Sequence, residues 1–189
     1  MKNLAILASH NGSGFDAIYK AVELKKLHCN ISLVISNNTN AKVLQKAKDA
    51  SLQNYLVNAK LYANPDEKIY ELLVQNNVEY IFLSGYMKKL PAKITQNFKV
   101  INSHPSLLPR YGGEGMYGRF VHEAIIKNKE KGSGVTIHYV DEVYDSGEII
   151  LQKEMQLSKN ETVDSLEKNI KQLEASAIVE GIQKCLTRL

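Results

Sequence analysis

Asn102 and His104 stand two residues apart in Asn102-Ser103-His104-Pro105-Ser106-Leu107-Leu108-Pro109, directly after the apolar pair Val100-Ile101. Such a pair suits a carbonyl reaction. An amide can donate a hydrogen bond to a developing oxyanion, and an imidazole can orient or carry a proton. Residues i and i+2 of an extended chain project to the same side, so both groups can meet one ligand. Two leucines and two prolines would then fix and partly dry the spot. A lone histidine is more often structural; here the neighbouring amide favours chemistry.

The elements that must position this pair alternate along the chain. Residues 3–8 form an apolar strand, and Phe15, Ile18, Ala21 and Val22 recur at helical spacing beyond a glycine turn. The unit repeats with a strand over 31–35 and a helix carrying Val43, Leu44, Ala47 and Ala50. A short strand at Tyr55-Leu56-Val57 precedes a helix opened by Asn64-Pro65-Asp66-Glu67, where proline and acids suit the first turn. A strand over 78–83 follows. This rhythm predicts an α/β fold, an open, mostly parallel twisted sheet with helices on both faces and right-handed crossovers. Ligands of such sheets lie at the carboxyl ends of strands, which is where Asn102 falls.

After Ile101 the rhythm changes. A loop expected over 102–119 holds two prolines and four glycines, and a helix near 120–129 follows. The remainder reads as a β-rich part, strands over 134–140 and 148–155, and then a long C-terminal helix with Leu166, Ile170, Leu173, Ala177, Ile178, Ile182 and Cys185 on one apolar face. With no linker, repeat or low-complexity tract, residues 1–189 are expected to form a single domain.

Gly12-Ser13-Gly14 lies between the first strand and its helix, a position that leaves backbone N–H groups free for an anion. A plain tight turn would use the same glycines. Gly12-x-Gly14-x-x-Ala17 also fits the loose dinucleotide fingerprint, yet Ser36-Asn37-Asn38 stands where a dinucleotide site wants an acid for the ribose. A monophosphate is the better match.

Composition narrows the partners. With 44% hydrophobic and 23% charged residues the chain has an ordinary globular balance, and its net charge of +4 comes from scattered lysines, not from a block that would hold nucleic acid. No apolar run is long enough for a membrane span or a leader peptide, so a cytoplasmic protein without membrane association is expected. Cys29 and Cys185 lack metal spacing and read as buried thiols, and the five histidines are dispersed, so no metal is assigned. The oligomer, monomer or homodimer, stays open.

With Asn102-x-His104-Pro105-Ser106-Leu107-Leu108-Pro109 goes a second segment, Asp145-x-Gly147-x-Ile149-Ile150-Leu151-Gln152. Together they resemble the folate-dependent formyltransferase family, over nearly the whole chain, and Asn11-Gly12-Ser13 resembles its ribonucleotide-using branch. The resemblance implies a Rossmann-like formyltransferase fold. It implies transfer of formyl from 10-formyltetrahydrofolate, as co-substrate, to the amine of glycinamide ribonucleotide in purine synthesis, by direct attack without a metal. Asn102, His104 and Asp145 match the family's catalytic trio, although Asp145 alone would pass for a turn residue. Gly12, Ser13 and Gly14 match the phosphate segment, and Glu174 an acid that contacts the ribonucleotide. Met87, Lys88, Lys89 and Leu90, with Val140, Asp141 and Glu142, match segments lining the folate pocket; read alone, Met87 and Leu90 suit a core. The halves implied are 1–100 for the ribonucleotide phosphate and 101–189 for catalysis and folate.

Where the family commonly has asparagine and arginine, this chain has Gly14 and Lys88. Gly112 to Arg119 also departs from it, and its glycines suggest a lid. His138 is expected to pack or to support the site, and His10, His28 and His122 to stay outside the chemistry. The competing readings are a formyltetrahydrofolate hydrolase, whose family members usually add an N-terminal regulatory domain, and a non-catalytic nucleotide- or folate-binding module.

Overall fold

The computed structural model describes residues 1–187, and they fall into two compact units divided between Ile101 and Asn102. The first unit runs β1 (Lys2–Leu7), α1 (Ser13–Glu23), β2 (Cys29–Ser36), α2 (Lys42–Asp49), β3 (Asn54–Leu56), α3 (Pro65–Gln75), β4 (Tyr80–Leu83) and α4 (Ala92–Asn97), and it contains the start of β5 (Lys99–His104). β1 pairs in parallel with β2 and with β4, and β2 with β3. Right-handed crossovers through this order put α1 and α2 on one face and α3 on the other. Buried on both faces, the strands read as continuous apolar runs: Leu4 to Ala8 and Ile81 to Phe82 are fully enclosed. α3 begins as expected, with the Asn64 side chain accepting from the Glu67 N–H at 3.2 Å and proline in the first turn.

The second unit holds the end of β5, then α5 (Arg119–Lys127), β6 (Gly132–Tyr139), β7 (Ile149–Gln156) and α6 (Val163–Thr187). β6 and β7 are antiparallel. Strand order is β3-β2-β1-β4-β5-β6-β7, so the sheet is mostly parallel with seven strands, β5 being common to both units. Leu166, Ile170, Ala177, Ile178, Ile182 and Cys185 are buried on α6 as the periodicity requires, with Leu173 half-buried.

Two local expectations change. Asn102, Ser103 and His104 belong to β5 and not to the following loop, because the strand continues through them. α4 escapes the sequence because it has six residues and only Ile94 buried. Among the described residues no helix is long and apolar enough to cross a membrane.

Candidate active site

Within the second unit, strand alternation on β5 presents Asn102 and His104 on one face. The loop after β5 is held by a compact set of bonds. Thr136 Oγ1 donates to the Ser106 carbonyl at 2.7 Å and accepts from the Leu108 N–H at 3.0 Å, while Gln152 Nε2 donates to the Leu108 carbonyl at 2.9 Å. Gln152, the last residue of the second motif, thus anchors the first.

Asn102 Nδ2 lies 3.2 Å from His138 Nε2, and His138 Nδ1 lies 2.8 Å from the Tyr139 carbonyl. A carbonyl only accepts, so the His138 proton sits on Nδ1 and Nε2 accepts from the Asn102 amide. Burial holds the His138 imidazole below its usual range, against the opposing pulls of the Tyr139 carbonyl and Asp145. One N–H of Asn102 is therefore fixed, and the other is aimed by it.

His104 is 3% exposed. Its Nε2 donates to the Tyr111 carbonyl at 2.7 Å, and its Nδ1 lies 3.4 Å from Asp145 Oδ2. Asp145 adopts φ 56 in the turn between β6 and β7, and its Oδ2 accepts from the Gly113 N–H at 2.9 Å. Its Oδ1 faces His138 Nε2 at 3.6 Å. Gly112 permits this approach: a Cβ there would strike Leu108 and come within 3.2 Å of Asp145 Cβ. Asn102, His104 and Asp145 thus converge with His138 in one half-buried cluster, whose groups can donate to an oxygen and pass a proton.

Ser103 projects from the opposite face of β5, and its Oγ donates to Glu174 Oε1 at 2.7 Å. Glu174 is half-buried on α6, and burial pushes its carboxyl above the usual carboxylate range against the pull of the Ser103 bond and of Lys171. Val140 is half-buried, whereas Asp141 and Glu142 are exposed. The Asp141 carboxylate accepts from the Val143 N–H at 2.9 Å and from Ser146 Oγ at 3.0 Å, closing the turn that carries Asp145. In the glycine-rich segment, Gly113 is tied to Asp145, and Tyr117 stacks edge-on with Phe120.

In the first unit, Gly12 caps α1 at φ 65 and Ser13 opens the helix with its side chain exposed. Gly14 differs from expectation: its N–H donates to Ser84 Oγ at 2.9 Å, and a Cβ would lie 2.5 Å from Phe82 Cε1. Gly14 is a packing glycine, and its amide is not free for an anion. Lys46 Nζ donates to the Asn11 carbonyl at 2.8 Å and pairs with Asp16 at 2.6 Å, steadying the turn.

Met87, Lys88 and Lys89 are exposed and line a cavity of about 640 Å³ with Ser9, Asn58 and Tyr86. Leu90 turns into the core instead. Met87 donates its N–H to Ser9 Oγ at 2.7 Å, and Ser9 Oγ donates to Asn37 Oδ1 at 2.6 Å. Among the described residues no cluster of three or more His, Cys, Asp or Glu is placed to hold a metal ion.

Sequence reasoning missed Ser103, Ser84 and the backbone groups of Tyr111 and Gly113. Only Ser103 had a signal, its place between two candidate site residues on an alternating strand.

Residues 2–182 match the family described as formyl transferase. The phosphoribosylglycinamide formyltransferase of Bacillus subtilis (strain 168) is 34% identical over 179 residues, covering 92% of this chain and 89% of the relative. The chloroplastic phosphoribosylglycinamide formyltransferase of Vigna unguiculata is 32% identical over 188 residues, and this chain spans 60% of its length. The crystal structure of phosphoribosylglycinamide formyltransferase from Bacillus halodurans superposes with a TM-score of 0.89 at 28% identity, covering 99% of this chain and 96% of that one.

Proposed function

This chain belongs to the formyl transferase family, and from that premise we propose that it transfers formyl from 10-formyltetrahydrofolate to the amine of glycinamide ribonucleotide, a step of purine biosynthesis. The observation that carries the reading is the cluster in which an oriented amide, an imidazole and a carboxylate meet.

The substrate amine attacks the formyl carbon, and the carbonyl electrons move to oxygen. The free N–H of Asn102 donates to that oxyanion. His104 donates from Nε2 by exchanging the neutral Tyr111 carbonyl for a charged acceptor, a contact stronger in the transition state than before it. Collapse of the intermediate breaks the bond to the folate nitrogen, and the proton lost by the amine replaces the bond that nitrogen has lost. Asp145 supports His104 in its protonated form and relays the proton directly or through water.

We assign the ribonucleotide phosphate to Gly12 and Ser13, with Gly14 providing close packing, and a ribonucleotide contact to Glu174. Met87, Lys88 and Lys89 are assigned to the folate, with Leu90 supporting their segment from the core, and so, by the family resemblance, are Val140, Asp141 and Glu142. The chain is read as a single domain, with residues 1–100 holding the phosphate and 101–189 the chemistry. All three catalytic side chains come from one chain, so monomer and homodimer serve equally. The buried thiols of Cys29 and Cys185 fit a reducing cytoplasm.

The test supplies 10-formyltetrahydrofolate with and without glycinamide ribonucleotide and follows tetrahydrofolate, formate and formylated product. Product formed only with ribonucleotide supports the transferase. Formate released regardless of ribonucleotide makes the protein a hydrolase, and no turnover makes it a binding module.

A further inference from the structure

α6 carries a carboxyl in the middle of its apolar stripe. Leu166, Ile170, Ile178 and Ile182 are buried at four-residue spacing, and Glu174 occupies the position between Ile170 and Ile178. A carboxyl at such a place weakens packing and costs stability unless it is well partnered. Its hydrogen-bond partner is a neutral hydroxyl, Ser103 Oγ at 2.7 Å. The positive charge acting on it is Lys171, three residues earlier, which the structure pairs with Glu167 at 2.6 Å. Packing alone would favour leucine at this position, so the acid has another use.

Ser103 determines what that use can be. A serine hydroxyl has one proton, and here it is committed to Oε1. The carboxylate is thereby fixed about its last torsion, leaving Oε2 as the acceptor for an incoming N–H or O–H. Asn102 and His104 flank Ser103 on the same strand, so the serine holding the acid is rigidly joined to the residues of the chemistry.

We propose that Ser103 is a positioning residue for ribonucleotide binding: its hydroxyl orients the Glu174 carboxylate so that the second oxygen accepts from a hydroxyl or N–H of that substrate. The inference rests on the assignment of Glu174 to the ribonucleotide. Its energetic mark is on substrate affinity, because the serine touches neither the formyl carbon nor the leaving nitrogen.

The experiment measures kcat and both KM values for Ser103→Ala, Ser103→Thr, Glu174→Gln and the double variant Ser103→Ala/Glu174→Gln, with Ser103→Cys as a volume-matched substitute if alanine impairs folding. Loss of a hydrogen bond to a charged group predicts a ribonucleotide KM raised about 10-fold in Ser103→Ala. The folate KM and kcat should stay within about 3-fold, threonine should restore most of the affinity, and the double variant should be no worse than Glu174→Gln alone. An unchanged ribonucleotide KM in Ser103→Ala, with a raised one in Glu174→Gln, overturns the role of Ser103 and leaves Glu174 in place. An unchanged KM in Glu174→Gln overturns the assignment beneath it. A Ser103→Ala effect that persists in the Glu174→Gln background, or that falls on kcat alone, also refutes the proposal.

Discussion

Replacing Asp145 with asparagine should separate its charge from its shape. Asp145 holds φ 56, a region asparagine enters as readily as aspartate and alanine does not, so Asp145→Ala would add backbone strain to the loss of charge. In Asp145→Asn the amide oxygen can keep the Gly113 N–H, while the amide nitrogen faces His138 Nε2, whose one lone pair the Asn102 amide already holds. Exchanging a charge-assisted bond for a neutral one costs about 1 kcal/mol, or roughly 2–4 °C in Tm for a chain of this size. The catalytic loss is larger. At 3.4 Å from His104 Nδ1, and at an effective dielectric of about 20, a carboxylate stabilises an imidazolium by roughly 5 kcal/mol. Asp145 keeps 11% of its side chain exposed, and solvent screening could halve that figure. The expected fall in kcat is on the order of 100-fold to a few thousand-fold. Steady-state formyl transfer together with a thermal melt measures both quantities. A kcat within about 5-fold of the parent, with the melt unchanged, would refute the view that this charge acts on His104.

Three further outcomes follow from local geometry. His138 should titrate below the ordinary histidine value of about 6.5 when its ring protons are followed by NMR. A histidine kept neutral by folding contributes stability that is complete above about 6.5 and lost as pH falls through the folded value, so titration at or above 6.5 contradicts the view that burial keeps this ring neutral. Gly14→Ala places a Cβ 2.5 Å from the buried Phe82 ring and 2.9 Å from Ser84 Oγ, which should cost about 1–3 kcal/mol in a denaturant melt; a neutral result would show that the ring yields. Thr136→Val strands the Leu108 N–H and weakens the hold of Gln152, so Tm should fall by about 3–10 °C, and an unchanged melt would mean the loop does not depend on that hydroxyl.

Much of this architecture was legible because it is periodic. Apolar runs fixed β1, β2 and β4, a four-residue stripe fixed α6, and alternation placed Asn102 and His104 together. What escaped has no periodic or compositional trace. The Tyr111 carbonyl and the Gly113 N–H are backbone groups, and any residue type would supply them. Ser84 fills the Gly14 amide from 70 residues away, a pairing that only the folded chain creates, and so a turn that resembled an open phosphate cradle has one donor fewer. Ser103 was overlooked for another reason. The chemistry of its neighbours marks one face of β5, and the partner that gives the other face a use, Glu174, lies 71 residues away.

One carboxylate stands between two imidazoles, and their other partners decide which can receive its support. His138 is satisfied as a neutral ring, with Nδ1–H on the Tyr139 carbonyl and Nε2 accepting from Asn102; a second proton would set Nε2–H against the Asn102 N–H. His104 is arranged the other way. Its Nε2–H is on a carbonyl, and Nδ1 faces Asp145 Oδ2, so a second proton gains a charged acceptor and displaces no donor. The backbone carbonyls of Tyr139 and Tyr111, each engaging a different ring nitrogen, therefore divide the labour: one histidine holds an amide in position and the other can carry a proton. In the proposed mechanism Asn102 needs the first ring neutral, and the oxyanion is met by the N–H that the second ring presents. A single aspartate between the two rings can support one without charging the other because those carbonyls have already distinguished them.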